Sequence, residues 1–399
     1  MASATSQCNE RGREFVGADG YLAGRDPSTS HMDCFANHIA SLWMTNLFSP
    51  NQKRGAEAPQ VKRQRRCFNY IESDGAERVV PVRNLRRQDL GGRDLAAGCG
   101  VAEMSARIAL AAGAGVEECW MDVDGGRMRY LHAGAGPPLI LLHGLLGYSF
   151  SWRYVMPELA KHASVYAPDM LGAGFSDRAF NVDFSMGAVA QRLVQFVEKL
   201  GLPSATFDLL GTSHGGGVAM MAAAACLGES RVKVRKLVLV APVNPYSAHG
   251  KRLAPFFGRP LGAALFRSTV ATMPFLFRYG HRRLYADRNA IPPGTLEGYM
   301  APLAVPGFFE HGLKIMQTWT RDLREIESIL PKVGTLPTLL VWGAEDRAVH
   351  ASSAGMLARH FQDSRTVIFP RVGHLPYEEC PAEFNRAVIE FLKGEESPA

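Results

Sequence analysis

The sequence predicts an α/β protein: a mainly parallel, doubly wound sheet with a helical cap inserted between two of its strands. Three observations carry this. From Val116 onward, short apolar runs alternate with amphipathic segments at helical spacing, as in sheets whose strands are joined through helices. Several runs are apolar throughout, such as PPLILLHG at 137–144, which suits strands buried on both faces. One long interval, from Val243 to Leu330, has no such run and is aromatic-rich and punctuated by proline.

Taken in order, CWMDVDGGRMRYLHAG (119–134) holds two alternating runs split by Asp124-Gly125-Gly126, a hairpin signal. Further strands are expected at SVYAPD (164–169), TFDLLG (206–211), VRKLVLVAP (234–242), PTLLVWG (337–343) and RTVIFP (365–370). Helices are expected at about 185–200, directly after Ser213, and at about 351–361 and 382–393. The expected core is therefore 116–242 with 331–396, and the cap 243–330.

Residues 1–115 differ. Their periodicity is weak, arginine is frequent, and Cys8, Cys34, Cys67 and Cys99 fall there. A segment without an apolar face cannot offset the ~1–2 kcal/mol per residue of backbone ordering. It is expected to be a disordered extension, or to lie upstream of a true start at Met104. The alternative is an accessory segment docking through FANHIASLWMTNLF (35–48).

The overall 47% hydrophobic and 21% charged composition is that of a soluble globular chain. The net charge of +6 is dispersed, and the one dense basic run, KRGAEAPQVKRQRR (53–66), suits a solvated tail; no nucleic-acid role is expected. Seven scattered cysteines without a CxxC pair argue against a disulfide framework or a zinc site. No apolar stretch nears the ~18 residues of a membrane span. The first thirty residues lack a signal-peptide core, so a cytoplasmic protein is expected.

The chemistry centres on LLGTSHGGGVAMMAAAA (209–225), where Gly211-Thr-Ser213-His-Gly215 fits G-x-S-x-G. The motif alone is weak in a chain with 40 glycines. Set between a buried strand and a helix, it is the nucleophile elbow. Serine needs a base, itself oriented by an acid. Asp346 and His374 each follow a strand, in the chain order expected for this elbow. Glu345 is the rival acid; His350 and His360, which follow no strand, are rival bases. For an oxyanion, the N–H groups of Leu145, in LLHGLLG, and of His214 are the candidate donors. The His214 side chain is expected to be wall rather than catalyst, and His143 to brace its loop.

With HGLLG, PDMLGAGFSD (168–177), the elbow, WGAEDRAV and GHLPYEECPAEFNRAVIEFL, residues 116–394 resemble the α/β-hydrolase superfamily in its cap-bearing serine branch. The resemblance implies Ser213 as nucleophile, Asp346 as acid, His374 as base, and Leu145 with His214 as oxyanion donors. Serine at the elbow argues against the epoxide hydrolases and haloalkane dehalogenases, which carry aspartate there. The expected activity is hydrolysis of a carboxylic ester of a small, largely apolar compound, with no cofactor and no metal. Phe256, Phe257, Phe275, Phe277, Phe308 and Phe309 are candidates for an apolar acyl pocket, Phe275 and Phe277 foremost. The alternatives are a carbon–carbon bond hydrolase of an aromatic ring-cleavage product, with Arg278, Arg282 or Arg283 holding its carboxylate, and a small-ligand receptor on the same fold.

Overall fold

A computed structural model describes residues 69–70, 79–80, 115–179, 181–247, 256, 258–265 and 274–394. The chain divides into two units, Met1–Asp89 and Leu90–Ala399. In the first, β1 (Asn69–Tyr70) pairs antiparallel with β2 (Val79–Val80). The expectations for 1–115 otherwise fall outside the described residues.

The second unit is built on an eight-stranded sheet of order β10-β9-β8-β7-β5-β6-β4-β3. Its strands are β3 (Glu117–Val123), β4 (Gly126–Ala133), β5 (Pro138–Leu142), β6 (Ser164–Pro168), β7 (Thr206–Thr212), β8 (Lys233–Val240), β9 (Thr338–Gly343) and β10 (Ser364–Phe369). The β3–β4 hairpin and the β4–β6 pair are antiparallel; all later pairs are parallel. The hairpin closes through Asp124 and Gly125, with Val123 facing Gly126 and Gly125 at φ 92°. That is the turn the Asp-Gly-Gly punctuation predicted.

The continuous apolar runs supply both layers of the core. On β5, Ile140 and Leu142 enter one cluster while Leu139 and Leu141 enter the other, on the opposite face. Leu339 and Val341 likewise part from Leu340 and Trp342 on β9. The first face is covered by α1 (Met186–Lys199), α2 (His214–Cys226) and, later in the chain, a long helix; the second includes Trp152, Val155 and the α6 helix residues Phe384 and Val388, α6 being Pro381–Lys393. Helix α1 starts where Ser185 caps it, its hydroxyl accepting the Ala188 N–H.

Between β8 and β9 the described regular elements are helical and include 260–265, α3 (Pro274–Arg282), α4 (Thr295–Met300) and α5 (Phe308–Val333). Helix α5 runs on past residue 330. Its Ile315, Trp319, Leu323, Ile326, Leu330 and Val333 join the first core cluster, so most of its length packs on α2 and α1 over that face of the sheet.

Candidate active site

β7 ends at Thr212 and α2 begins at His214, so one residue must turn the chain. Ser213 does so at φ 52° and ψ −119°, a left-handed backbone that a side-chain-bearing residue holds only under constraint. The constraint is hydrogen bonding. Its N–H donates to Val240 O at 2.9 Å, and its carbonyl accepts from the N–H of Gly216 at 3.0 Å and of Val243 at 2.9 Å. The glycines give this turn its clearance. A Cβ on Gly211 would stand 2.4 Å from the Gly215 oxygen, and one on Gly215 2.3 Å from the His143 oxygen. Strand, turn and helix would have to separate to admit either.

Asp346 follows β9 and His374 follows β10, and Glu345 N–H donates to Val372 O at 2.9 Å to tie the two loops. One Asp346 oxygen, Oδ1, accepts from the N–H of Ala348 at 2.7 Å and of Val349 at 2.9 Å. The other, Oδ2, accepts the Nδ1–H of His374 at 2.7 Å, both side chains being buried. That bond fixes the tautomer and leaves Nε2 to accept a proton. The rivals are elsewhere. Glu345 is exposed and faces Arg347 at 3.8 Å, His350 is exposed, and His360 stacks on Tyr246 and meets its hydroxyl at 2.5 Å.

The 143–147 loop flanks the serine: a Cβ on Gly144 would stand 3.2 Å from Ser213 Cβ. Leu146 takes φ 58° and Gly147 N–H closes on Gly144 O at 3.0 Å, turning Leu145 and Leu146 over the serine. His143 braces this turn as expected. Its Nδ1 meets Gly144 O at 2.9 Å and its Nε2 accepts the Met170 N–H at 3.0 Å; burial pushes its pKa down, which suits a neutral ring. His214 is buried with its ring stacked on Trp319, and burial drives its pKa down to about 3. Its side chain is a neutral wall; its N–H lies in the first turn of α2.

Ser213, His374 and Leu145 line a cavity of about 360 Å³. Of the phenylalanines singled out in the sequence, Phe277 and Phe309 line it. Phe308 is buried beside them, edge-on to both rings, and serves the packing of the insertion instead. Phe256 is 43% exposed and is not among the residues that line it. Phe257 and the Phe275 side chain lie outside the described residues. None of the three arginines offered as carboxylate anchors lines the cavity. Arg278 reaches Glu297 at 2.7 Å, Arg282 is exposed, and Arg283 lies over the Tyr279 ring.

Sequence reasoning missed His281, Tyr299 and Trp319, which line the cavity from α3, α4 and α5. His281 rests against Tyr299, ring centroids 4.0 Å apart, and burial lowers its pKa to about 4. The available signal was spacing: Phe277 and His281 stand four apart on one helical face. Among the described residues no His, Cys, Asp and Glu cluster could hold a metal, and no helix is long and apolar enough to cross a membrane.

The family model described as the alpha/beta hydrolase fold matches residues 137–381. The chain is 29% identical to a 2-hydroxymuconate semialdehyde hydrolase of Pseudomonas sp. (strain CF600), over 67% of this chain and 90% of the relative. It is 28% identical to haloalkane dehalogenase 2 of Mycobacterium tuberculosis, over 69% and 94%. A monoacylglycerol lipase of Xenopus laevis is 25% identical, over 68% and 81%.

Proposed function

The chain belongs to the α/β-hydrolase fold family, and on that premise we propose that it is a serine hydrolase cleaving a carboxylic ester of a small, largely apolar substrate. The observation that carries the reading is the Asp346–His374 bond at 2.7 Å, with His374 and the strained Ser213 lining one cavity. In this mechanism Ser213 Oγ attacks the ester carbonyl as His374 Nε2 takes its proton. Asp346 holds the imidazole and stabilises its charged form. The N–H groups of Leu145 and His214 receive the oxyanion. His374 then protonates the departing alcohol, and afterwards takes a proton from the water that releases the acid. The helices between β8 and β9 act as the cap, closing an apolar acyl pocket over the serine.

The named relatives are a haloalkane dehalogenase, a 2-hydroxymuconate semialdehyde hydrolase and a monoacylglycerol lipase, so the reaction must be argued from the site. Serine at the elbow supports acyl rather than alkyl transfer. Among the described residues, Arg278, Arg282 and Arg283, the cations offered for a dienoate's carboxylate, stand outside the cavity lining. Turnover of p-nitrophenyl acetate and butyrate, beside a dienoate, tests the reading. Multiple turnover of the esters with labelling by a fluorophosphonate is expected, and Ser213→Ala should lose both, the rate by ~10³-fold or more. Preferred turnover of the dienoate would establish the carbon–carbon reading instead, and single turnover a receptor.

A further inference from the structure

The insertion carries a charge pattern that the proposed catalysis does not use. From Asn244 to Ala286 the chain has seven lysines and arginines, between Lys251 and Arg283, and no aspartate or glutamate. The described part of this stretch sorts its residues by face. On α3, Phe277 and His281 turn inward to the cavity, while Arg278, Tyr279 and Arg282 are exposed. In 260–265, Gly262 and Ala263 are buried, Ala263 against Leu313 of α5, while Leu261 is 76% exposed and the preceding Arg259 is exposed too. Both elements rest on the first turns of α5, since Phe277 meets Phe308 there at 6.2 Å between centroids. Exposed Arg259, Leu261, Arg278, Tyr279 and Arg282 are thus carried by two elements that both pack on the start of α5, whose Phe309 lines the cavity, and Gly280 is both exposed and part of that lining.

We propose that this outer face docks on an anionic lipid bilayer. Two features of the chemistry favour a bilayer over a soluble polyanion. Arginine at the headgroup level gains from the negative surface potential. A protruding leucine gains nothing from a phosphate or a carboxylate, but it does gain from the acyl boundary beneath them, where tyrosine also sits well. Arg278 spends part of its charge on Glu297 at 2.7 Å, so Arg259 and Arg282 are the residues to test with Leu261. Docked this way, the cavity's rim faces the membrane, and the ester to be cleaved could come from the lipid phase.

Flotation of the full chain with phosphatidylcholine vesicles, with and without phosphatidylglycerol, tests the proposal. Binding is expected only to the anionic vesicles and should weaken as salt rises. Leu261→Asp, and separately Arg259→Glu with Arg282→Glu, should each reduce vesicle partitioning about tenfold or more, with melting temperature and turnover of a soluble ester unchanged. The N-terminal basic run at 53–66 remains in both variants, so undiminished binding would assign attachment to that run and overturn the proposal. Equal binding to uncharged vesicles would overturn it too. So would a loss in the arginine variant with none in Leu261→Asp, which would describe a simple polyanion site. Flotation needs no catalysis, so its result stands apart from the esterase reading.

Discussion

Arg153 and Glu378 meet as a two-pronged buried pair, Nη1 to Oε1 at 2.9 Å and Nη2 to Oε2 at 2.7 Å. The Tyr285 hydroxyl donates to Oε2 at 2.5 Å, Tyr299 donates to Oε1, and Arg153 reaches Thr295 Oγ1 at 3.1 Å. One carboxylate, four residues after His374, thus gathers the side chains that tie the insertion to the sheet. Removing one partner of a buried pair leaves an uncompensated charge, at a cost of about 3–5 kcal/mol. Glu378→Ala should lose that much in urea unfolding, and Glu378→Gln clearly less. A loss below ~1 kcal/mol in the alanine variant would show the pair to be dispensable.

Asp346→Asn should lower kcat by about 10⁴, because an amide cannot hold His374 in the tautomer that frees Nε2. Glu345→Gln should be nearly neutral in the same ester assay, since that side chain is exposed. A severe Glu345 variant beside a mild Asp346 variant would reassign the acid.

Phe277→Ala should shift preference among acetate, butyrate and octanoate esters, at about 1–3 kcal/mol for each methylene the pocket distinguishes. Phe256→Ala, on the exposed side, should leave the ratios alone. Equal ratios in both variants would place Phe277 in the packing of the insertion only.

Asp322, buried on α5, accepts a hydrogen bond from Thr318 Oγ1 at 2.7 Å, while its Oδ1 has no hydrogen-bond partner. Burial raises its pKa from 3.8 to about 6. The sign follows from linkage. Below the unfolded value both states hold the proton and the folded state suffers no penalty. As pH rises towards about 6 the unfolded chain ionises first, and the folded state loses about 2–3 kcal/mol that stays lost above. Asp322→Asn should therefore melt higher than the parent at about pH 8, with the gap closing by about pH 4. An unchanged gap across that range would mean that Asp322 is not the titrating group.

The central strands were legible because burial on both faces leaves short apolar runs bounded by turn signals, and each strand of the eight-stranded sheet ends within two residues of its expected limit. The Ser213 turn was legible because only glycines fit within 2.5 Å of the facing backbone at 211 and 215. The insertion was legible as helical, but the order of its side chains was not. Phenylalanine is equally at home in a pocket wall or a packed layer, and Phe277 takes the first place and Phe308 the second. His281 and Trp319 gave no motif, since what places them is the fit of α3 and α5 over the serine. The Arg153–Glu378 pair joins residues 225 positions apart, beyond any local pattern.

Helix α5 spans 26 residues, about 39 Å at 1.5 Å per residue, with Phe309 and Trp319 at the cavity and Ile326, Leu330 and Val333 buried in the first core cluster beside α2. A stiff rod clamped at one end cannot swing at the other. The wall it supplies is a fixed jamb, so any widening that admits a bulky acyl group has to come from α3 and α4. Ligand-dependent protection from amide exchange should then be graded along the chain, large across 274–300 and slight across 315–333.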